Sequence, residues 1–323
     1  MRLGYACLTL GMPEPKMRTA QLNRWRRGLV DLAPIYAYNA EYARRSIEYS
    51  ARHGLLAYRV STDIFPLLDC DPALRKLVPS FGPLRATVAR HGMHISNHPG
   101  QFVALATPHE HVLKNALGVL RDAAWVMQGI GAAGSITLHG GGVYGERGAT
   151  GARLRDAIRR LPAAVRRRVV LENDEHGWTV PELVEATDGS VPIVFDKLHW
   201  EANPRSARYE TELLGALATW PADRVPELHY SEQAEGKPRG AHASYVSGRG
   251  LVEFLDDVAE ATKGRDAVVI VEAKRKDLAI ARAVGELTGH ARRRLFDHVP
   301  ELARAPSDWI ARSAALEPTY DAA

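Results

Sequence analysis

Seven apolar runs in this chain stop at a side chain that can bind a metal ion. They are Val60–Asp63, His94–His98, Ile136–His139, Val169–Glu172, Pro192–Asp196, Glu227–His229 and Val268–Glu272. A lone histidine at a strand end is more often a hydrogen-bonded core residue than a ligand, so the inference rests on the set: His98, His139, Glu172, Asp196, His199, His229, His242 and Glu272. Mixed imidazole and carboxylate donors are what Zn, Mn or Fe accept. The most specific local signal is Asp196-Lys197-Leu198-His199, a carboxylate at a strand end with histidine three residues on, which can serve adjacent ions. Glu172 and Glu272 follow β-branched runs, where a carboxylate is costly unless a cation compensates it. The donors exceed the needs of one ion, which predicts two or three. Clustered divalent ions suit phosphoryl hydrolysis, because they ionise a water and stabilise the leaving oxygen. Glu172, Asp196, His229 and Glu272 are the expected centre of that chemistry. Lys274, in the run Lys274-Arg275-Lys276 directly after the last donor, is expected to assist it.

His98-Pro99-Gly100-Gln101-Phe102 is a motif of another kind. It sets an amide and an aromatic ring on a constrained loop at the rim of the expected site. Such a pair can enter a base stack and stabilise unpaired nucleotides; the plainer reading is an aromatic lid. Gly140-Gly141-Gly142 either lets the backbone approach a phosphate or simply makes a tight loop.

These residues must be positioned by regular elements, and strands and helices alternate throughout. Strands are read at Arg2–Leu8, Leu55–Ser61, Met93–His98, Gly134–His139, Arg168–Asn173, Val191–Asp196, Val225–Tyr230 and Asp266–Glu272. Helices are read at Tyr36–His53, Pro83–His91, Glu110–Gly129, Gly151–Val165, Val180–Ala186, Ala207–Thr219, Leu251–Thr262 and Lys276–Leu287. Gly54 and Gly92 stop the first two helices. Val112, Ala116, Val119, Leu120, Ala123 and Val126 recur at helical spacing. The α/β class follows, with a parallel sheet. A (β/α)8 TIM barrel brings the carboxyl ends of all its strands to one place; a doubly wound open sheet does so less readily. The expected organisation is a barrel over residues 1–290, then a C-terminal extension over 291–323 with a short helix and a loose tail.

The chain has 323 residues, 46% hydrophobic and 25% charged, which is ordinary for a globular protein. A net charge of +4 is compatible with a polyanionic partner without requiring one. Cys7 and Cys70 allow one bridge at most, pointing to a reducing cytoplasm. No apolar run approaches the roughly 20 residues that span a bilayer, so membrane association is not expected.

Taken in order, the motifs resemble the UV damage endonuclease family, the UvdE-type enzymes, over about Arg2–Ala281. The resemblance is carried by Leu3-Gly4-Tyr5, Arg59-Val60-Ser61-Thr62-Asp63-Ile64-Phe65-Pro66, Ser96-Asn97-His98-Pro99-Gly100-Gln101-Phe102, Leu138-His139-Gly140-Gly141, Leu171-Glu172-Asn173-Asp174, Phe195-Asp196 with His199, His229-Tyr230-Ser231 with Gln233, and Glu272-Ala273-Lys274 with Lys276-Asp277-Leu278. It implies a TIM barrel related to endonuclease IV with up to three divalent ions, usually manganese, Zn2+ and Mg2+ being the alternatives. It implies nicking of damaged double-stranded DNA 5′ to ultraviolet photoproducts, extending in some members to abasic sites, with no obligate protein partner. It implies that the eight residues named above are metal ligands, that Gln101 and Phe102 are a lesion-probing wedge, and that Tyr5 contacts DNA. Three positions depart from the family pattern. Asp63 stands where some members have a histidine ligand. Glu227 stands where some have a lysine that can carry a carboxylate modification. Ser244 replaces an aspartate. Glu227 shares a strand face with His229, so it is expected to approach the ions directly or through water. The competing readings are a xylose-isomerase-like sugar isomerase or epimerase, which needs no rim wedge, and a non-catalytic damage binder, which would require a broken ligand set.

Overall fold

The computed structural model describes residues 1–14 and 16–315. Eight parallel strands close into one barrel in sequence order: β1 (Arg2–Ala6), β2 (Ala57–Val60), β3 (His94–Asn97), β4 (Ile136–His139), β5 (Val169–Glu172), β6 (Ile193–Asp196), β7 (Glu227–Tyr230) and β8 (Val268–Val271). Closure is made by β1 on β8, where Arg2 pairs with Val268 and Tyr5 with Val271. The helices that follow the strands are α1 (Ala33–Arg52), α2 (Gly82–His91), α3 (Glu110–Gly129), α4 (Arg147–Arg160), α5 (Val180–Ala186), α6 (Tyr209–Ala218), α7 (Gly248–Thr262) and α8 (Lys276–Glu286). The (β/α)8 expectation holds. The strands are shorter than the apolar runs, because each run extends into the loops at its ends.

Side chains alternate across each strand. Leu3, Tyr5, Tyr58, Ile95, Leu138, Leu171, Phe195, Leu228 and Val271 face the helices and belong to the main core. The opposite parity faces the barrel axis, where Ala6, Ala57, Val268 and Ile270 form one small apolar cluster and Val170, Val194 and Trp220 another. Glu172, Asp196, Glu227 and His229 share the axial parity and are fully buried. The fold therefore has an apolar outer layer and an axial lumen that turns polar toward the carboxyl ends of the strands.

Beyond α8, helix α9 (Gly289–His298) packs on α7, and α10 (Ser307–Ala315) packs on α8. Leu295, Val299, Leu302 and Trp309 from this segment join the main core. Two helices stand where one was expected, and they share the barrel's core rather than trailing from it. The end of the expected tail, residues 316–323, lies outside the described residues. Among the described residues no helix is long and apolar enough to cross a membrane.

Candidate metal centre at the carboxyl ends of the strands

Glu172 organises the site. It ends β5 on the axial parity, is fully buried, and has imidazoles on every side. His98 Nε2 lies 2.8 Å from its Oε2, and His139 Nε2 lies 3.9 Å from the same oxygen. On Oε1, His229 Nδ1 approaches to 2.7 Å and His199 Nδ1 to 3.5 Å. Two donor groups result: His98, His139 and Glu172 in one, and Glu172, Asp196, His229 and Glu272 in the other. Within each group the donor atoms lie within 4.8 Å of one another. Glu172 is common to both, as a bridging carboxylate would be.

Local structure fixes the other donors. Asp196 ends β6 and caps the helical turn Lys197–Ala202, its Oδ1 accepting the His199 N–H at 2.7 Å. This explains the three-residue spacing: the cap places His199 beside the strand end that Asp196 terminates. Asp196 Oδ2 remains buried with no partner, as does His139 Nδ1. His242 Nδ1 lies 2.7 Å from the Glu272 carbonyl oxygen, and its ring stands 5.7 Å from that of His199. His199 and His242 thus flank the two donor groups on one side.

The electrostatics fit a cation. Burial alone would raise the Glu172 carboxyl, but the surrounding imidazoles, His229 foremost, hold it well below the usual range. Burial would lower His229, yet Glu172 raises it to about 10; Asp196 and Glu172 likewise raise His199 against burial. His139, for which burial dominates, is lowered to about 4. Burial pushes Asp196 up. Four carboxylates, three of them fully buried, thus face one guanidinium, and protons on imidazoles make up the difference. A divalent ion supplies that charge at the donor atoms themselves and displaces those protons. The donor set, its spacing and the orphaned Asp196 oxygen therefore fit metal ions bound by His98, His139, Glu172, Asp196, His229 and Glu272, with His199 and His242 in reach of a further one.

The guanidinium belongs to Arg59, which the strand-end pattern missed. It sits on the axial face of β2, buried, with Nη1 hydrogen-bonded to Glu272 and Nη2 at 2.5 Å from His229 Nε2. The signal was present in the sequence: an arginine inside an otherwise apolar strand needs buried anions. His94, at the start of β3, was likewise passed over. Its Nε2 faces Glu227 Oε2 at 3.4 Å.

Three expectations need correction. Glu227 is axial and fully buried, but it is absent from both donor groups. Its carboxylate lies between His94 and the far edge of His229, at 3.3 Å from His229 Nε2 and 4.0 Å from Arg59. Two residues earlier on the strand means one layer deeper in the barrel, behind His229 rather than among the donor atoms around Glu172. Asp63 is not at the cluster either. It lies past the end of β2 in the 3-10 turn Thr62–Ile64 and lines a separate small cavity with Asn97 and Phe102. Tyr5 does not face solvent: it is fully buried on the helix side of β1, its hydroxyl 2.7 Å from Thr9 and 2.8 Å from Ser50. A direct contact with DNA is closed to it.

The rim carries the remaining candidates. Gln101 is exposed and Phe102 is 69% exposed. The Phe102 ring lies over Gly100, where a Cβ would meet it at 2.7 Å and displace it. Gln101 also borders a cavity of about 410 Å³ with His139, Gly141, Arg147 and His176. The glycine run beside it has a packing role: a Cβ on Gly140 would strike Trp178 at 2.5 Å, and Trp178 Nε1 donates to Gly141 O. Lys274 is exposed at the end of β8. Nothing in the structure accounts for serine at position 244, whose carbonyl accepts the Arg275 N–H.

Comparison with known proteins agrees with this geometry. Over 265 residues the chain is 31% identical to the UV DNA damage endonuclease of Bacillus cereus strain Q1, covering 80% of this chain and 83% of that protein. Among solved structures it superposes on SacUVDE with a TM-score of 0.78 at 22% identity, covering 94% of this chain and all of the other. Endonuclease IV from Thermus thermophilus superposes with a TM-score of 0.56 at 18% identity, again covering 94% of this chain and all of the other. These two likenesses speak to the barrel fold. The family described as UV-endonuclease UvdE matches residues 1–297, and the chain belongs to that family.

Proposed function

We propose that this protein is a metal-dependent DNA repair endonuclease that nicks the phosphodiester backbone immediately 5′ to ultraviolet photoproducts, leaving a 3′-hydroxyl and a 5′-phosphate. The observation that carries the reading is Glu172, a buried carboxylate shared by two donor groups at the open end of the barrel. Membership of the UV-endonuclease family supports the substrate class. His98, His139 and Glu172 would hold one ion, and Glu172, Asp196, His229 and Glu272 a second; His199 and His242 would be in reach of a third. We assign Mn2+ as the ion. When bound, such ions ionise a water and stabilise the leaving oxygen.

The chain's own residues do the rest. Glu172 fixes the spacing of the two donor groups, and Arg59 holds the Glu272 carboxylate in place. Gln101 and Phe102, presented outward on the turn after β3, enter the stack beside a lesion, where a distorted base step is cheapest to open. Lys274 lies at the rim to meet a backbone phosphate. The free cysteines Cys7 and Cys70 suit a cytoplasmic enzyme.

The test is a labelled duplex carrying one pyrimidine dimer, incubated with protein and Mn2+, with the cut mapped at nucleotide resolution. A single incision 5′ to the dimer supports the reading. No incision, alongside turnover of a free ketose, would transfer the site to the sugar isomerases and epimerases. A parallel duplex with an abasic site measures the lesion range.

A further inference from the structure

We propose that the opposite, N-terminal end of the barrel carries a second nucleic-acid-binding surface, an arginine field that takes the phosphodiester backbone of another duplex segment. Two open basins of about 520 and 600 Å³ adjoin there. Their linings place them at the strand entrances. Ala132 and Ala133 precede β4, Arg167 and Arg168 precede β5, Pro192 precedes β6, and Arg224 precedes β7. The donor groups around Glu172 lie at the other ends of these strands.

Arg167 and Arg224 line both basins, and Arg75, Arg121, Arg166 and Arg168 add to them; Asp223 is the one carboxylate in either lining. Among the described residues, Arg121, Arg166, Arg167, Arg168 and Arg224 of these linings form no ion pair. Other arginines of the same linings are paired: Arg75 with Asp122, and Arg155 and Arg159 with Asp188.

A structural role accounts for part of it. Helix carboxyl ends and strand entrances meet at this face, and arginines cap their carbonyls: Arg168 donates to Ala132 O at 2.8 Å, and Arg166 to Arg159 O at 2.8 Å. Each such bond uses a fraction of the five N–H donors of a guanidinium and none of its charge. Arg121 and Arg167 are exposed and make no such bond among the described residues. Burial, and then Arg167, lowers Arg168; burial and Arg168 lower Arg224 against Asp223. Arg224 lies 5.1 Å over the Trp220 ring, which holds its guanidinium plane in place. Planar, fixed, unpaired guanidinium groups are the phosphate-binding form of positive charge. They come from several chain segments across two contiguous basins. One small anion would meet one or two of them; a phosphodiester strand meets the series.

The choice of polyanion rests on the DNA reading above, so the test separates the two. Wild type and the Arg121→Gln/Arg167→Gln variant are titrated with a short, labelled, undamaged duplex at low salt, and duplexes per chain are counted by analytical ultracentrifugation. The expected result is two duplexes per wild-type chain and one per variant chain. The weaker wild-type event should be salt-dependent with a slope of at least about two, since each phosphate contact contributes about 0.9. Arg121→Lys/Arg167→Lys should restore the second duplex, and incision of a short dimer-bearing duplex should be the same in all three proteins. Wild type binding one duplex, or the Gln variant keeping two, would overturn the proposal. Displacement of the second duplex by inorganic phosphate at matched ionic strength would overturn it too, by showing a small-anion site. Loss of incision with the second duplex retained would instead count against the enzymatic reading alone.

Discussion

His229 stands between two carboxylates, with Nδ1 2.7 Å from Glu172 and Nε2 3.3 Å from Glu227. One ring edge faces the donor cluster and the other faces a carboxylate behind it. When Nδ1 gives its lone pair to a metal, Nε2 must carry the proton, and Glu227 is placed to accept it. A carboxylate behind a ligating histidine fixes its tautomer and raises its basicity. Arg59 Nη2 approaches the same edge of the ring.

Glu227→Gln should therefore weaken binding of Mn2+ to metal-free protein about 10–100-fold. The variant should keep its fold by circular dichroism, because the amide retains the volume. Calorimetric titration with Mn2+ measures the effect without reference to activity. Unchanged affinity would reduce Glu227 to a filler of the lumen.

The rim turn separates recognition from chemistry. Gln101→Ala with Phe102→Ala should weaken discrimination between damaged and intact duplex by about 1–3 kcal/mol, the worth of base–aromatic stacking. The Mn2+ content should stay at the wild-type value. Competition binding with dimer-bearing and undamaged duplexes measures the first quantity and elemental analysis the second.

Asp277 gives a pH signature away from the donor cluster. Its oxygens accept the N–H groups of Leu10 and Gly11 at 2.7 and 3.0 Å, tying the loop after β1 to the start of α8. Burial raises its carboxyl from 3.8 to about 6, against those hydrogen bonds. A raised carboxyl binds its proton more tightly folded than unfolded, so its contribution to stability is complete below about pH 4. It is lost as pH rises through about 6. The stability difference between wild type and Asp277→Asn should therefore shift against wild type between those pH values, by on the order of 2–3 kcal/mol at most. Urea unfolding of both proteins at pH 4 and pH 7 measures it; a pH-independent difference would show that Asp277 does not titrate in this range.

Much of the site is legible in the sequence, because strand ends converge only in a closed barrel and the ending residues were donors. His98, His139, Glu172, Asp196, His229 and Glu272 are read from that pattern, and the structure brings them together. What escaped depends on depth and parity. Glu227 has the right parity and the wrong layer. Tyr5 has the wrong parity, since Gly4 and Ala6 take the axial face of β1 and turn its ring toward the helices. Asp63 falls past the end of its strand, where a 3-10 turn redirects it. Arg59 is not a ligand type, although a buried guanidinium among carboxylates is as informative as a ligand.

The most direct test of the central claim joins metal content to incision at Glu172. Wild-type protein, stripped and reloaded, should bind at least two Mn2+ per chain by native mass spectrometry and cut a dimer-bearing duplex 5′ to the lesion. Glu172→Ala should lose at least one ion, and incision should fall about a thousandfold or more, as removal of a group central to the chemistry does. Near-normal cutting by Glu172→Ala at saturating Mn2+, or wild-type cutting undiminished by chelation, would contradict the account.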